Sequence, residues 1–77
     1  MFFKKNEKKT ALKKEMKWLE SYINDLRKRH MCMIRDFMAE TNPVCAEARM
    51  IIIKTLANDI HDSEMVLNLL KRTYKQM

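Results

Sequence analysis

The stretch AETNPV, residues 39–44, decides the fold of this chain, because it holds the one proline of a 77-residue sequence that has no glycine. Asn42 is a preferred helix N-cap, and Pro43 suits the first helical position since the N–H that it lacks would be unpaired there. The residue before a proline is also pushed out of helical geometry, which ends a preceding helix. The stretch therefore predicts that one helix ends near Glu40 or Thr41 and that a second begins at Pro43.

An apolar seam with coiled-coil spacing runs on each side of this turn. Its members recur at alternating intervals of three and four residues, and the polar exceptions are His30 before the turn and Ser63 after it. This spacing predicts an all-α fold, an antiparallel two-helix hairpin with helices at about 8–40 and 43–77 joined by a turn at 41–43. The seam residues are Leu12, Met16, Leu19, Ile23, Leu26, His30, Met33 and Phe37 in the first helix, and Ile53, Leu56, Ile60, Ser63, Leu67, Leu70, Tyr74 and Met77 in the second.

Two points of the hairpin admit alternatives. The first helix has candidate caps at Asn6 and Thr10, and residues 1–7 are alternatively a disordered basic arm. The polar run 58–64 permits a break at which Asp62 or Ser63 would cap a third helix. The unbroken heptad spacing across that run favours one continuous second helix.

The apolar surface widens around the turn. Met31, Ile34 and Met38 add a second stripe to the first helix, and residues 50–52 surround Ile53. A helix that is apolar on most sides must be covered on most sides, and a 77-residue chain is marginal by itself. We therefore expect a homodimer that forms a four-helix bundle, with a turn-end surface that contacts another chain. The residues expected at this protein-binding or dimer surface are Met31, Ile34, Phe37, Met38, Met50 and Ile51.

Charge is concentrated at the opposite end of the predicted hairpin. Residues 1–17 and 71–77 carry ten basic and two acidic residues, or +8, whereas the remainder carries six basic and eight acidic residues, or −2, which together give +6. Lysines at a helix N-terminus oppose the helix dipole, so they are either solubilising residues of a frayed arm or part of an interface with an anionic partner. A nucleic-acid interface would use Lys8, Lys9, Lys13, Lys14 and Lys17, with Trp18 and Tyr22 stacking on bases. Packing of Trp18 against the flank of a bundle is the favoured alternative.

Several classes of site have no support in the sequence. No run approaches the length of a membrane span, no signal peptide is recognisable, and Phe2-Phe3 is too short for an amphipathic anchor. We therefore expect an intracellular protein that does not bind membranes, with Cys32 and Cys45 as free thiols rather than a disulfide.

Metal and catalytic sites are equally unsupported. His30, Cys32, Cys45 and His61 nominally make a Cys2His2 set, but His30 and Cys32 are two residues apart on a helix and face away from each other. There is no glycine-rich phosphate loop and no pairing of a nucleophile with a base. We expect no metal, no cofactor and no enzymatic activity.

The sequence thus favours a small, non-enzymatic regulatory or adaptor protein that self-associates and binds a protein partner near its turn. The alternative is a regulator that binds RNA or DNA through the lysine-rich open end.

Overall fold

Two long helices account for nearly all of the chain. The computed structural model describes the backbone of residues 5–77 and the side chains from Glu7 onward. Helix α1 spans Lys5–Ala39 and helix α2 spans Pro43–Gln76, and the two pack against each other. The predicted all-α helical hairpin is confirmed. It measures 60 × 20 × 14 Å, so it has two broad faces, a turn end and an open end.

The turn is built on Asn42, which has extended backbone angles of φ −82° and ψ 119°. Its side-chain Oδ1 accepts hydrogen bonds from the N–H of Val44 at 2.9 Å and of Cys45 at 3.4 Å. Its backbone carbonyl accepts from the N–H of Ala46 at 2.9 Å, which is the first intrahelical bond of α2. Pro43 occupies the first turn, so the predicted N-cap arrangement is present.

Glu40 ties the end of α1 to the start of α2. One carboxylate oxygen accepts the N–H of Asn42 at 3.1 Å, and the other accepts from Nε of Arg49 at 3.3 Å. Arg49 also lies 3.5 Å from the carboxylate of Asp36. The N–H of Asn42, together with the Arg49 guanidinium, holds the pKa of the Glu40 carboxyl below its ordinary value, against the smaller opposing effect of desolvation.

The helix ends differ in detail from the sequence-based expectations. Asn6 and Thr10 both lie inside α1, so neither caps it, and α1 ends at Ala39 rather than at Glu40 or Thr41. The part of the predicted basic arm at residues 5–7 is helical, and residues 1–4 lie outside the described residues. Helix α2 is continuous across residues 58–64, so the alternative break near Asp62 is absent.

The predicted seam lies between the helices, but it is not buried equally along the hairpin. Four side chains of the described residues are buried, and none of these is less than 2% exposed. Three of them, Leu19, Ile23 and Leu67, form one cluster, and Met16 and Leu70 pack against it. His30 and Ser63, the polar seam members, are half-buried. The buried residues are Leu19, Ile23, Leu26 and Leu67.

The turn-end half of the seam is less well covered. Met33, Phe37 and Ile53 are half-buried although they continue the same stripe. The best-packed section of the hairpin therefore lies in its middle, since Leu12 and Tyr74 at the open end are half-buried as well. The part beside the turn leaves apolar seam atoms in contact with water.

Ion pairs mark one of the two broad faces. Arg27 pairs with Glu64, and Nζ of Lys71 lies 3.9 Å from the carboxylate of Glu20. Glu20 and Arg27 are seven residues apart on α1, as are Glu64 and Lys71 on α2, so each pair lies on one side of its helix. All four side chains are 41–56% exposed, so each pair contributes about 0–1 kcal/mol. We call this side the ion-pair face.

Candidate interaction surfaces

The hairpin exposes more large apolar side chains than it buries. Eleven such side chains of the described residues are exposed, against four that are buried. Where such side chains lie next to one another, they mark a candidate interaction site. The exposed residues are Trp18, Tyr22, Met31, Met38, Val44, Ile51, Ile52, Met65, Val66, Leu69 and Met77.

One group of them forms a shallow groove beside the turn, on the ion-pair face. Met31, Ile34 and Met38 line it with Arg35 and Ala39, in a volume of about 540 Å³. Spacings of three, four and seven residues bring these side chains to one side of α1. Met31 is 65% and Met38 80% exposed, so the hairpin itself does not cover them. We call these five residues the turn-end groove.

The other residues predicted for the turn-end surface are placed apart from this groove. Phe37 belongs to the seam and is half-buried there. Met50 is half-buried on α2, fourteen residues before Glu64 and therefore in line with the ion-pair face. Ile51 is 61% exposed and follows Met50 by one residue, so it projects in a different direction. Of the six predicted residues, three line the turn-end groove and the other three lie at separate positions.

Trp18 and Tyr22 form the one aromatic pair found among the described side chains. Their ring centroids are 5.4 Å apart and their planes differ by 8°, so the rings are stacked. Trp18 is 62% exposed and Tyr22 41% exposed. Each ring covers one face of the other, so the outer faces of the stacked pair remain available for a further contact.

A second broad face, opposite the ion-pair face, carries this pair. Tyr22, Ile52 and Val66 each come directly before a seam residue, which places them on the other flank of the seam from Arg27 and Glu64. Val66 is 50% exposed, and Leu69, three residues on, is 59% exposed. These residues continue the apolar surface of the aromatic pair across to α2.

The turn half of the same face holds another groove, which lies between the helices. Cys32, Met33, Ile52 and Leu56 line it, with Lys28 and Arg29 beside them, in a volume of about 490 Å³. Cys32 is fourteen residues after Trp18, and Val66 is fourteen after Ile52, so the groove and the aromatic pair share one side of the hairpin. We call this side the aromatic face and its groove the central groove.

The aromatic face was not predicted from the sequence as a continuous surface. A signal for it was present, since Tyr22, Ile52 and Val66 are apolar at the position that precedes a seam residue. The signal is weak in each helix taken alone, because only two or three turns of each carry it. It becomes a surface when the hairpin sets the two helices side by side.

The predicted nucleic-acid residues are only partly brought together. Nζ of Lys9 lies 5.1 Å from the centroid of the Tyr74 ring, and Lys9 is half-buried. Lys14 is four residues before Trp18 and lies beside it, whereas Lys13 and Lys17 lie together on another side of α1. Within residues 7–77 the exposed lysines of this group make no ion pair. They are Lys8, Lys13, Lys14 and Lys17.

The remaining candidate ligands are scattered. Cys32 and Cys45 are exposed free thiols, His30 is half-buried in the seam, and His61 is exposed on α2. In the part of the chain that the structure describes, no three His, Cys, Asp or Glu side chains gather at a point that could hold a metal ion.

Neither helix, over residues 5–77, has an apolar stretch of the length that a bilayer crossing requires. The Phe2-Phe3 pair considered for membrane contact lies outside the described residues. Comparison with known proteins gives no match: no family model matches the chain, and no curated protein or solved structure is similar to it.

Proposed function

We propose that this protein is a small, non-enzymatic regulatory or adaptor protein that forms homodimers and binds a second protein at its turn end. The observation that carries the proposal is uneven burial. The core covers Leu19, Ile23, Leu26 and Leu67, whereas apolar seam residues near the turn remain half-exposed. Burying apolar surface contributes about 25 cal/mol per Å², so covering this region would stabilise an assembly.

The turn-end groove defines the kind of protein partner that we expect. Met31, Ile34 and Met38 present an apolar stripe of about two helical turns, and Arg35 is the charged residue beside them. An amphipathic helix with an apolar stripe would fit such a surface, and methionines adapt to varied side chains. A carboxylate on that helix would pair with Arg35 at the rim.

Self-association is tested first, by sedimentation equilibrium of the full chain over a range of concentrations. A reversible dimer is the expected result. A monomer that persists at concentrations of several hundred micromolar would contradict the self-association part of the proposal.

Partner binding is tested by pulldown, with the full chain carrying both Met31→Gln and Met38→Gln as the bait. The control is Val44→Gln, which alters a side chain that is 76% exposed and outside the groove. A partner protein that the control retains and the groove variant loses supports the proposal. A partner that both variants bind with equal affinity contradicts a role for the groove.

The alternative function, binding of RNA or DNA, is favoured by Lys14 beside the exposed Trp18 and by Lys8, Lys13 and Lys17 on the same part of α1, none of which makes an ion pair within residues 7–77. About four phosphate contacts with a single strand would make affinity fall roughly 50-fold between 50 and 200 mM salt, because neutralised phosphates release counterions. Fluorescence titration of Trp18 with single-stranded oligonucleotides measures this dependence. Absence of binding at 50 mM salt, or an affinity that salt does not change, counts against this alternative.

A further inference from the structure

We propose that the aromatic face is the dimer interface, and that it takes a second copy of this chain in an antiparallel arrangement, each turn beside the other copy's open end. The inference rests on the self-association part of the proposed function. It adds which face forms the dimer interface, how the two copies are oriented and which residues meet. It leaves the turn-end groove, on the other face, free for the protein partner.

The choice of face follows from what each broad face holds. On the ion-pair face, Glu20, Arg27, Glu64 and Lys71 would have to lose water if a second copy covered their length. On the aromatic face, the corresponding half carries Trp18, with Tyr22, Val66 and Leu69 at 41–59% exposure. This face also has charged residues near its middle, among them Asp25, Arg29, Asp59 and Asp62. A face of 60 × 20 Å also exceeds the roughly 800 Å² per partner that a stable complex buries.

The direction follows first from shape. The open half of the aromatic face protrudes, because Trp18 is 62% exposed on top of the helix surface. The turn half is recessed at the central groove. In an antiparallel dimer each aromatic pair enters the central groove of the other copy. In a parallel dimer the central grooves of the two copies would face each other and leave unfilled space between them.

Charge favours the same direction. Lys8, Lys13, Lys14 and Lys17 make no ion pair within residues 7–77. A parallel dimer sets these like charges beside their copies at one end. An antiparallel dimer separates them by most of the 60 Å length, which is several Debye lengths at physiological salt, so their mutual repulsion is screened.

The twofold axis is then fixed by symmetry. It lies midway between the protruding and recessed halves, near residue 26 of α1 and residue 61 of α2, with each helix crossing its own copy. Asp25 comes within about one helical turn of Arg29 of the second copy. Asp59 comes opposite Asp62 of the second copy, which is a like-charge contact that a parallel dimer would not make.

A distance between the two turns tests the direction. Cys45, in the variant Cys32→Ala, takes a spin label at an exposed site close to the turn. It lies about sixteen residues from the axis, so at about 1.5 Å per residue the two labels of an antiparallel dimer are about 50 Å apart. A distance below about 25 Å shows a parallel dimer and overturns the inference while leaving self-association intact. A monomer by sedimentation overturns both.

Two matched substitutions test the face. Leu69→Gln changes a 59% exposed residue of the aromatic face, and Met31→Gln changes a 65% exposed residue of the turn-end groove. We expect Leu69→Gln to raise the dimer Kd at least tenfold, and Met31→Gln to change it less than twofold. The reverse pattern would place the interface on the ion-pair face. Circular dichroism confirms that both variants keep their helices.

The contact between Asp59 and Asp62 gives a readout that does not depend on labels. Asp59→Asn removes like-charge repulsion in the antiparallel dimer, so we expect the dimer Kd to fall severalfold. In a parallel dimer Asp59 would lie across from Arg29 of the second copy, and the same change would raise the Kd. A raised Kd therefore counts against the inference.

Discussion

Asn42 satisfies three backbone N–H groups at the turn, two through its side chain and one through its carbonyl. The first N–H groups of any helix lack intrahelical partners, so an N-cap side chain lowers the free energy of the folded state. Glu40 reinforces the same turn from the other side. Two residues therefore hold the chain reversal, with no positive-φ residue among those described.

The cap makes a direct prediction. Asn42→Ala removes the acceptor for Val44 and Cys45 and should lower the free energy of unfolding by about 1 kcal/mol. Asn42→Asp is the matched control, because aspartate caps equally well. Urea unfolding followed by circular dichroism, at one fixed protein concentration, measures the difference. Equal stability of the alanine variant and the native chain would show that the cap is not needed.

Glu40 makes the turn sensitive to acid. Its pKa is lowered in the folded state, chiefly by the N–H of Asn42, so its stabilising effect is present above the ordinary value of 4.5 and is lost as pH falls through the lowered pKa. Glu40→Gln should therefore be less stable than the native chain at pH 7, with the difference closing in strong acid. Urea midpoints measured from pH 7 to pH 2 check this.

The control for this prediction is Glu47→Gln, an exposed glutamate in the first turns of α2. Within residues 7–77 it makes no ion pair, so its substitution should leave the pH profile unchanged. If the two variants show the same profile, the contacts of Glu40 do not contribute to stability.

The two helices depend on each other, because neither could hide its apolar stripe alone. Their shared seam is buried only over Leu19, Ile23, Leu26 and Leu67. Packing against α1 also explains why α2 is continuous through the polar run 58–64. Ile60 and Ser63 keep their seam positions there, and Glu64 reaches Arg27 across the interface.

Ile23, at 3% exposure, is the most sensitive position of this seam. Ile23→Val should cost about 1 kcal/mol of unfolding free energy, through a lost methylene and the small cavity that remains. Ile51→Val makes the same chemical change at 61% exposure and should cost less than about 0.5 kcal/mol. Chemical unfolding of both variants compares them. A cost that is equal at both positions would contradict the assignment of the core.

The whole hairpin has a small core and a large apolar surface, so its stability should depend on its own concentration. Binding that favours the folded state adds about 2.7 kcal/mol for a 100-fold excess over Kd. If the proposed dimer forms, Tm should rise by several degrees across a 100-fold range of protein concentration. Calorimetry measures this. A Tm independent of concentration would mean that the monomer is stable with its apolar surface exposed.

The salt dependence of that Tm separates the two dimer directions at the level of the whole molecule. A parallel dimer gathers Lys8, Lys13, Lys14 and Lys17 of both copies at one end, so added salt should stabilise it strongly by screening. The antiparallel dimer should change little between 50 and 300 mM salt. The reference is the effect of salt on the Tm of the monomer, measured at low protein concentration.

Most of the fold followed from local rules in the sequence. The Asn42-Pro43 pair specifies a helix start through its own hydrogen-bonding chemistry, and the three-and-four spacing specifies which side of each helix is buried. The seam members that the spacing indicated are all buried or half-buried except Met77, which is 38% exposed. The capping expectations at Asn6 and Thr10 were wrong, because the helical backbone extends N-terminal to both, and good capping residues also tolerate helix interiors.

The candidate surfaces were less predictable. Met31, Ile34 and Met38 share a groove because their spacing within α1 is enough to bring them together. Phe37, Met50 and Ile51 were grouped with them by closeness to the turn, but the direction of each side chain depends on its position relative to the seam. Nearness along the axis of a hairpin does not place two residues on one face.

Sequence periodicity therefore fixes the two helices, their reversal and the buried stripe, because each of these depends on contacts within one turn or one helix. The pairing of Glu20 with Lys71, and the meeting of Tyr22 and Val66 on one broad face, depend on how the helices are staggered along each other. That stagger is set by the geometry of the turn and the packing of seam side chains between helices. For this reason the tertiary structure alone decides that the hairpin has an ion-pair face and an aromatic face.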